Sequence, residues 1–157
     1  MPSDVKYGYQ LIAKSPKYME PMAEDPDMRY AGNNLACVNC HLKAGTQVGA
    51  ASWISVTDRF PQFRGRSNSE GTIEDRINGC MQRSMDGDKR PVLSREMKSI
   101  VAYMEWLGEG LPKEREKEFK DFPKISIPEV AVDLEKEKHC LLKNVAFALA
   151  KMERGND

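Results

Sequence analysis

Long hydrophobic runs are missing from this chain. No stretch is apolar over the roughly 20 residues that a bilayer crossing needs. Charge of one sign is missing as well: the 157 residues hold 24 Lys and Arg against 24 Asp and Glu, a formal net charge of zero. That balance gives no overall basic character for nucleic acid or an anionic membrane. Cysteine is scarce, with four residues, and histidine scarcer, with two. Thiols at positions 37, 40, 80 and 140 do not outline a disulfide framework. The chain opens Met1-Pro2-Ser3-Asp4, without the basic and apolar segments of a secretory leader. What remains is about one domain by length, with enough apolar residues for a single core.

The few cysteines and histidines carry a pattern. Cys37-Val38-Asn39-Cys40-His41 is a C-x-x-C-H run, the attachment site of a c-type haem. Two thiols add to the haem vinyl groups, and the next residue, a histidine, is then placed to ligate the iron. One helical turn carries both thioethers and sets the imidazole against the porphyrin face. Zinc or a redox C-x-x-C is the competing reading. Zinc needs two further ligands, and Cys80, His139 and Cys140 form no second pair at ribbon or finger spacing. The run therefore predicts one covalent haem c in a mainly α, cytochrome c-like domain. Haem c is attached outside the cytoplasm, so the expected location is the periplasm. The visible N-terminus is then expected to be that of a processed or shortened chain.

The rest of the chain reads as three parts: a haem domain over 1–110, a charged and proline-containing linker over 111–132, and a C-terminal helix over 133–157. Within the first, Tyr7, Leu11 and Ile12 lie near helical spacing beside Gly8. Asp25-Pro26 and Gly32-Asn33-Asn34 signal turns ahead of the haem motif. Residues 45–69 read mostly as loop wrapped on the haem. Thr72 can cap a helix through Arg76, Ile77, Cys80, Met81 and Ser84, ended by Asp86-Gly87-Asp88. Ser94 can cap another, with Met97, Ile100, Val101, Met104 and Leu107 on one stripe and Gly108 as the stop. An N-terminal helix crossing a C-terminal helix is the cytochrome c arrangement, and Gly8 would let the two approach closely. In the linker, the run from Lys113 to Lys120 is a solvated segment and Phe122 to Pro128 a stiff, extended one. Leu134, Leu141, Val145, Ala148, Leu149 and Met152 give the last helix one apolar side, fit for packing.

His41 leaves the sixth iron position open. Met81, Met85, Met97 and Met104 are candidates, though methionines are more often core residues. Cys80 is the sharper one, because a thiolate favours ferric iron and suits a low-potential, catalytic haem. Arg76, Cys80 and Ser84 are spaced by four, which puts them on nearly one helix face. Arg76 would favour the thiolate of Cys80 and attract an anion, with Arg59, Arg64 and Arg66 widening the field. The plainer alternative is a buried structural cysteine between two exposed neighbours.

At this point the residues resemble a known family. The stretch from Tyr30-Ala31-Gly32-Asn33-Asn34 through the haem motif to Ala44-Gly45-Thr46 is similar to the first haem site of the tetrathionate-forming thiosulfate dehydrogenases. These are dihaem cytochromes related to the sulfur-oxidising SoxA proteins. The likeness continues through Phe60-Pro61-Gln62-Phe63-Arg64-Gly65-Arg66, then Ile73 to Met85, and Glu96-Met97-Lys98 to Trp106-Leu107. The resemblance implies that His41 and the cysteine at position 80 hold the catalytic haem iron. It implies that Arg66, Arg76 and Ser84 line an anion site. The implied reaction joins two thiosulfates into tetrathionate and releases two electrons.

The chain also departs from that family. Leu134-Glu135-Lys136-Glu137-Lys138-His139-Cys140 resembles the start of the relatives' second haem domain, but Leu141-Leu142-Lys143-Asn144 follows, with neither the second cysteine nor the histidine. Three functions follow from this. One is a thiosulfate-oxidising or tetrathionate-reducing cytochrome working with a redox partner. Another is an electron-transfer cytochrome that kept the pocket without turnover. The third is a haem-bearing subunit whose final helix, 133–152, docks on another chain.

Overall fold

In the computed structural model, the described residues are 1–120, 122–124, 126 and 133–153, with side-chain surroundings as far as residue 143. In chain order the helices are α1 (Ser3–Ala13), α2 (Ser15–Met19), the single turn α3 (Leu42–Gly45), α4 (Ile73–Arg83), α5 (Arg95–Gly108) and α6 (Leu134–Glu153). Two short strands, β1 (Gln62–Arg64) and β2 (Ser69–Gly71), pair antiparallel with Phe63 opposite Glu70. The chain divides into two units, Met1–Pro123 and Lys124–Asp157.

The first unit is organised by the crossing of α1 and α5. Helix α1 buries Val5, Gly8, Leu11 and Ile12, which recur at three- and four-residue steps. Helix α5 buries Met97, Ser99, Ile100, Tyr103 and Met104 in the same rhythm, behind the Ser94 hydroxyl that accepts the Met97 N–H at 3.1 Å. A Cβ at Gly8 would overlap the Ser99 carbonyl oxygen and stand 3.0 Å from Tyr103 Cβ. The two backbones therefore touch where the side chain is missing, as the sequence predicts. Met19, Trp53 and Ile73 complete the core around them. Each fully buried side chain of this size contributes about 1.5–3 kcal/mol.

Helix α4 is capped reciprocally: Asp75 N–H donates to Thr72 Oγ1 at 3.3 Å, and Thr72 N–H donates to Asp75 Oδ2 at 3.0 Å. Its apolar side is short, so Met81 and Met85 form a small separate cluster with Ala31. Met81, Met85, Met97 and Met104 are all buried. The region 45–69, expected as loop, also contributes a 3₁₀ turn at Thr57–Arg59 and the first strand of the hairpin. Three-residue strands with Phe63 exposed leave no alternation to detect.

Within the expected linker, Lys113–Phe119 winds into a 3₁₀ helix braced by Arg115 and Glu118 at 3.0 Å. Asp121, Ile125 and residues 127–132 of that linker lie outside the described residues. In the second unit, Leu134, Leu141 and Leu142 of α6 are exposed. The surroundings of Val145, Ala148, Leu149 and Met152 lie outside the described residues. Among the described residues no helix is long and apolar enough to cross a membrane.

Candidate haem site

The C-x-x-C-H run forms a tight turn. Cys37–Asn39 is 3₁₀, Cys40 and His41 N–H groups donate to the Cys37 carbonyl at 3.3 and 3.0 Å, and Ala36 N–H donates to Asn39 Oδ1 at 2.6 Å. Ser15, buried where α1 gives way to α2, fixes the first cysteine. Its Oγ donates to the Leu11 carbonyl at 2.9 Å, accepts the Cys37 N–H at 3.3 Å and lies 3.5 Å from Cys37 Sγ. Burial pushes the Cys37 thiol up; the Ser15 bond opposes this and the charge of Cys80 adds to it. Cys37 and Cys80 are both half-buried, while Cys40 is exposed.

His41 is set by the main chain. Its Nδ1 lies 2.7 Å from the Ala51 carbonyl oxygen. A carbonyl only accepts, so Nδ1 carries the proton and the Nε2 lone pair is left for a metal. Burial lowers the His41 pKa, the Ala51 bond opposes that, and the charge of Arg76 lowers it further. Neutral imidazole, the ligating form, is favoured. The Trp53 ring packs on the imidazole with centroids 4.4 Å apart.

The turn after the motif is held by a web of carbonyls. Lys43 and Ala44 both adopt left-handed backbone, with φ of 51° and 54°, at a cost of roughly 1–2 kcal/mol per residue. The Ala44 carbonyl accepts from Tyr103 Oη at 2.9 Å, and the Gly45 carbonyl accepts from Trp53 N at 2.7 Å and Ser52 Oγ at 2.8 Å. These bonds offset the strain and couple the motif to α5.

Helix α4 is tied to the motif's leading segment by backbone. Gly32 N–H donates to the Met85 carbonyl and Asp88 N–H to the Tyr30 carbonyl, both at 2.8 Å, and Asn33 Nδ2 donates to the Ser84 carbonyl at 3.0 Å. A Cβ at Gly32 would overlap the Asp86 carbonyl oxygen, and one at Gly87 the Tyr30 carbonyl oxygen. Only glycine permits this approach at either position.

The structure therefore brings Cys37, His41, Arg76 and Cys80 within electrostatic reach of one another in two pairs, Cys37 with Cys80 and His41 with Arg76. Arg76 is exposed on α4, Ser84 is exposed just past its end, and Arg66 is exposed in the turn between β1 and β2. Neither the Arg66 nor the Ser84 side chain meets a hydrogen-bond or ion-pair partner among the described residues. Among those residues no three His, Cys, Asp or Glu side chains converge as a metal cage. Two vinyl-reactive thiols, one oriented imidazole and one half-buried thiol on α4 suit haem c, whose porphyrin brings four donors of its own. They do not suit zinc. The positioning groups Ser15, the Ala51 carbonyl and Trp53 have no signature in the sequence.

The SoxA/TsdA cytochrome c domain model matches residues 27–112. The chain belongs to this family. A domain of this kind carries covalent haem c. The thiosulfate dehydrogenase of Thiomonas intermedia is 32% identical over 147 residues, covering 90% of this chain and 44% of the relative. That of Allochromatium vinosum is 35% identical over 108 residues, covering 66% of this chain and 39% of the relative. The chain thus spans less than half the length of these curated relatives. Among solved structures, the thiosulfate dehydrogenase TsdBA of Marichromatium purpuratum, in its as-isolated form, aligns with a TM-score of 0.68 at 22% identity. It covers 83% of this chain and 28% of that one, and the likeness is one of fold.

Proposed function

We propose that this SoxA/TsdA-type domain carries a single haem c whose iron would be held by His41 and Cys80, and performs redox chemistry on thiosulfate and tetrathionate. The observation that carries the reading is the oriented imidazole beside two thiols: the Ala51 carbonyl holds His41 Nδ1 at 2.7 Å next to the turn that carries Cys37 and Cys40, and the segment after α4 is bonded to the segment leading into it. Haem c supplies a one-electron centre, and a thiolate donor gives it a low potential. Cys37 and Cys40 would anchor it, the Ala51 carbonyl would leave the His41 Nε2 free for the iron, and α4 would supply the Cys80 thiolate. Arg76, with Arg66 and Ser84 in the roles the family resemblance gives them, attracts and orients the dianion.

Joining two thiosulfates makes one S–S bond and releases two electrons, more than a single one-electron centre stores. The reading therefore requires a redox partner protein, such as another cytochrome, and a periplasmic setting. Exposed Leu134, Leu141 and Leu142 on α6 offer that partner an apolar contact.

A second reading has its own support. This chain contains one C-x-x-C-H run, and Cys140 is followed by Leu-Leu-Lys-Asn. An electron-transfer cytochrome, or a haem subunit without turnover, fits that as well. Thiosulfate-dependent reduction of the purified ferric haem protein, with ferricyanide as acceptor, separates the two. Tetrathionate accumulating over many turnovers establishes the enzyme. A haem that stays ferric with thiosulfate yet reduces with dithionite leaves the carrier.

A further inference from the structure

Arg64 and Arg83 bring their guanidinium groups to one point, and among the described residues no carboxylate pairs with them there. Arg64 ends β1, and its stem crosses Gly71 of β2, where a Cβ would stand 2.5 Å from Arg64 Cδ. Its Nη1 donates to the Asp75 carbonyl at 3.2 Å, which steers the group over Gly79. Arg83, one turn further along α4, folds back to the same residue. A Cβ at Gly79 would stand 2.6 Å from Arg83 Nη2 and 3.0 Å from Arg64 Nη2. Two glycines thus clear a lane for Arg64 and a meeting place for both cations.

Among the described residues neither arginine belongs to an ion pair. Two permanent cations this close repel each other at a partly screened surface. A small dianion between them would replace that repulsion with two charge-assisted, fork-like contacts. The place is also telling. Gly79 precedes Cys80, and positions 76, 79, 80 and 83 fall at three- and four-residue steps on one face of α4.

We infer that Arg64, Arg83 and the space at Gly79 form a second subsite for a sulfur oxyanion, beside Cys80 and apart from the Arg66 and Arg76 set. Its assignment to thiosulfate rests on the proposed function. Two dianions must approach each other against their own repulsion before their sulfane sulfurs join. One S–S bond then forms, none breaks, and two electrons leave to one-electron acceptor proteins without movement of a proton. Cation clusters on either side of Cys80 offset the repulsion.

The test is calorimetric titration of the ferric holoprotein with thiosulfate and, separately, with sulfate as an unreactive dianion. The native protein should bind two dianions. Arg64→Gln and Arg83→Gln should each weaken one site about tenfold or more while the change in haem absorbance on thiosulfate binding persists. Gly79→Ala keeps both charges but fills their meeting place, and should weaken the same site. Arg83→Lys keeps the charge without the planar fork and should fall between. Arg115→Gln removes an equal charge from Lys113–Phe119 and should change nothing. Native affinity and stoichiometry in Arg64→Gln and Arg83→Gln would overturn the subsite, and so would equal weakening by Arg115→Gln. Loss of one site in those variants, in a protein whose haem thiosulfate never reduces, would leave the subsite standing and remove thiosulfate oxidation.

Discussion

Position 80 concentrates the chemistry in one atom. Axial-ligand identity moves haem potentials over about 0.8 V, so Cys80→Met should raise the reduction potential on the order of 0.1 V or more. Spectroelectrochemical titration reads it, and an unchanged potential would remove Cys80 as the ligand. Glu20 is a different single-residue case. It is fully buried, and among the described residues neither carboxylate oxygen has a hydrogen-bond partner. Burial raises its pKa above the ordinary 4.5. The protonated form is favoured by folding, so the contribution is full below about pH 4.5 and is lost as pH rises through the folded-state value. Glu20→Gln should therefore be more stable than the native protein at pH 7, with the gain fading toward pH 4.5, as followed by urea unfolding. A gain equal at both pH values would show that the charge is not the cause. At this scale the sequence reveals Cys37, Cys40 and His41, because the chemistry demands their spacing. It also groups Arg76 with Cys80, because helix periodicity does. It hides Ser15 and the Ala51 carbonyl. The first acts across 22 residues and the second through a main-chain atom that every residue shares.

Among the elements, α1 and α5 depend on contact rather than on propensity. Gly8→Ala would press a methyl group into the Ser99 carbonyl. Overpacking of this kind costs about 1–3 kcal/mol. The denaturation midpoint should fall with little change in the slope against denaturant. A variant with native stability would mean that the helices separate without cost, contrary to their packing. Both α4 and α5 were legible in the sequence, since Thr72 and Ser94 are hydroxyl caps that announce a start and the apolar residues behind them keep a helical rhythm. The hairpin was not. Its strands are three residues long and largely exposed, so no face of it needs an apolar pattern. The left-handed turn at Lys43 and Ala44 was equally silent, because neither residue type favours that conformation and tertiary carbonyl bonds impose it.

For the whole molecule, the boundary at Pro123 makes a direct prediction. The chain ended there should keep the haem spectrum and unfolding transition of the full chain, because the core lies within Met1–Pro123. A lost spectrum or a markedly lower midpoint would show that the second unit supports the first. The locked approach of residues 30–34 to residues 84–88 reaches further. Backbone bonds and two obligatory glycines set this approach, and none of them uses the side chain at position 80. With Cys80 as a donor, one codon change would exchange the atom offered to the iron while every helix stayed in place. Such a scaffold is open to divergence: descendants can drift in redox potential by point mutation, yet keep the same turn for the haem-attachment machinery to recognise.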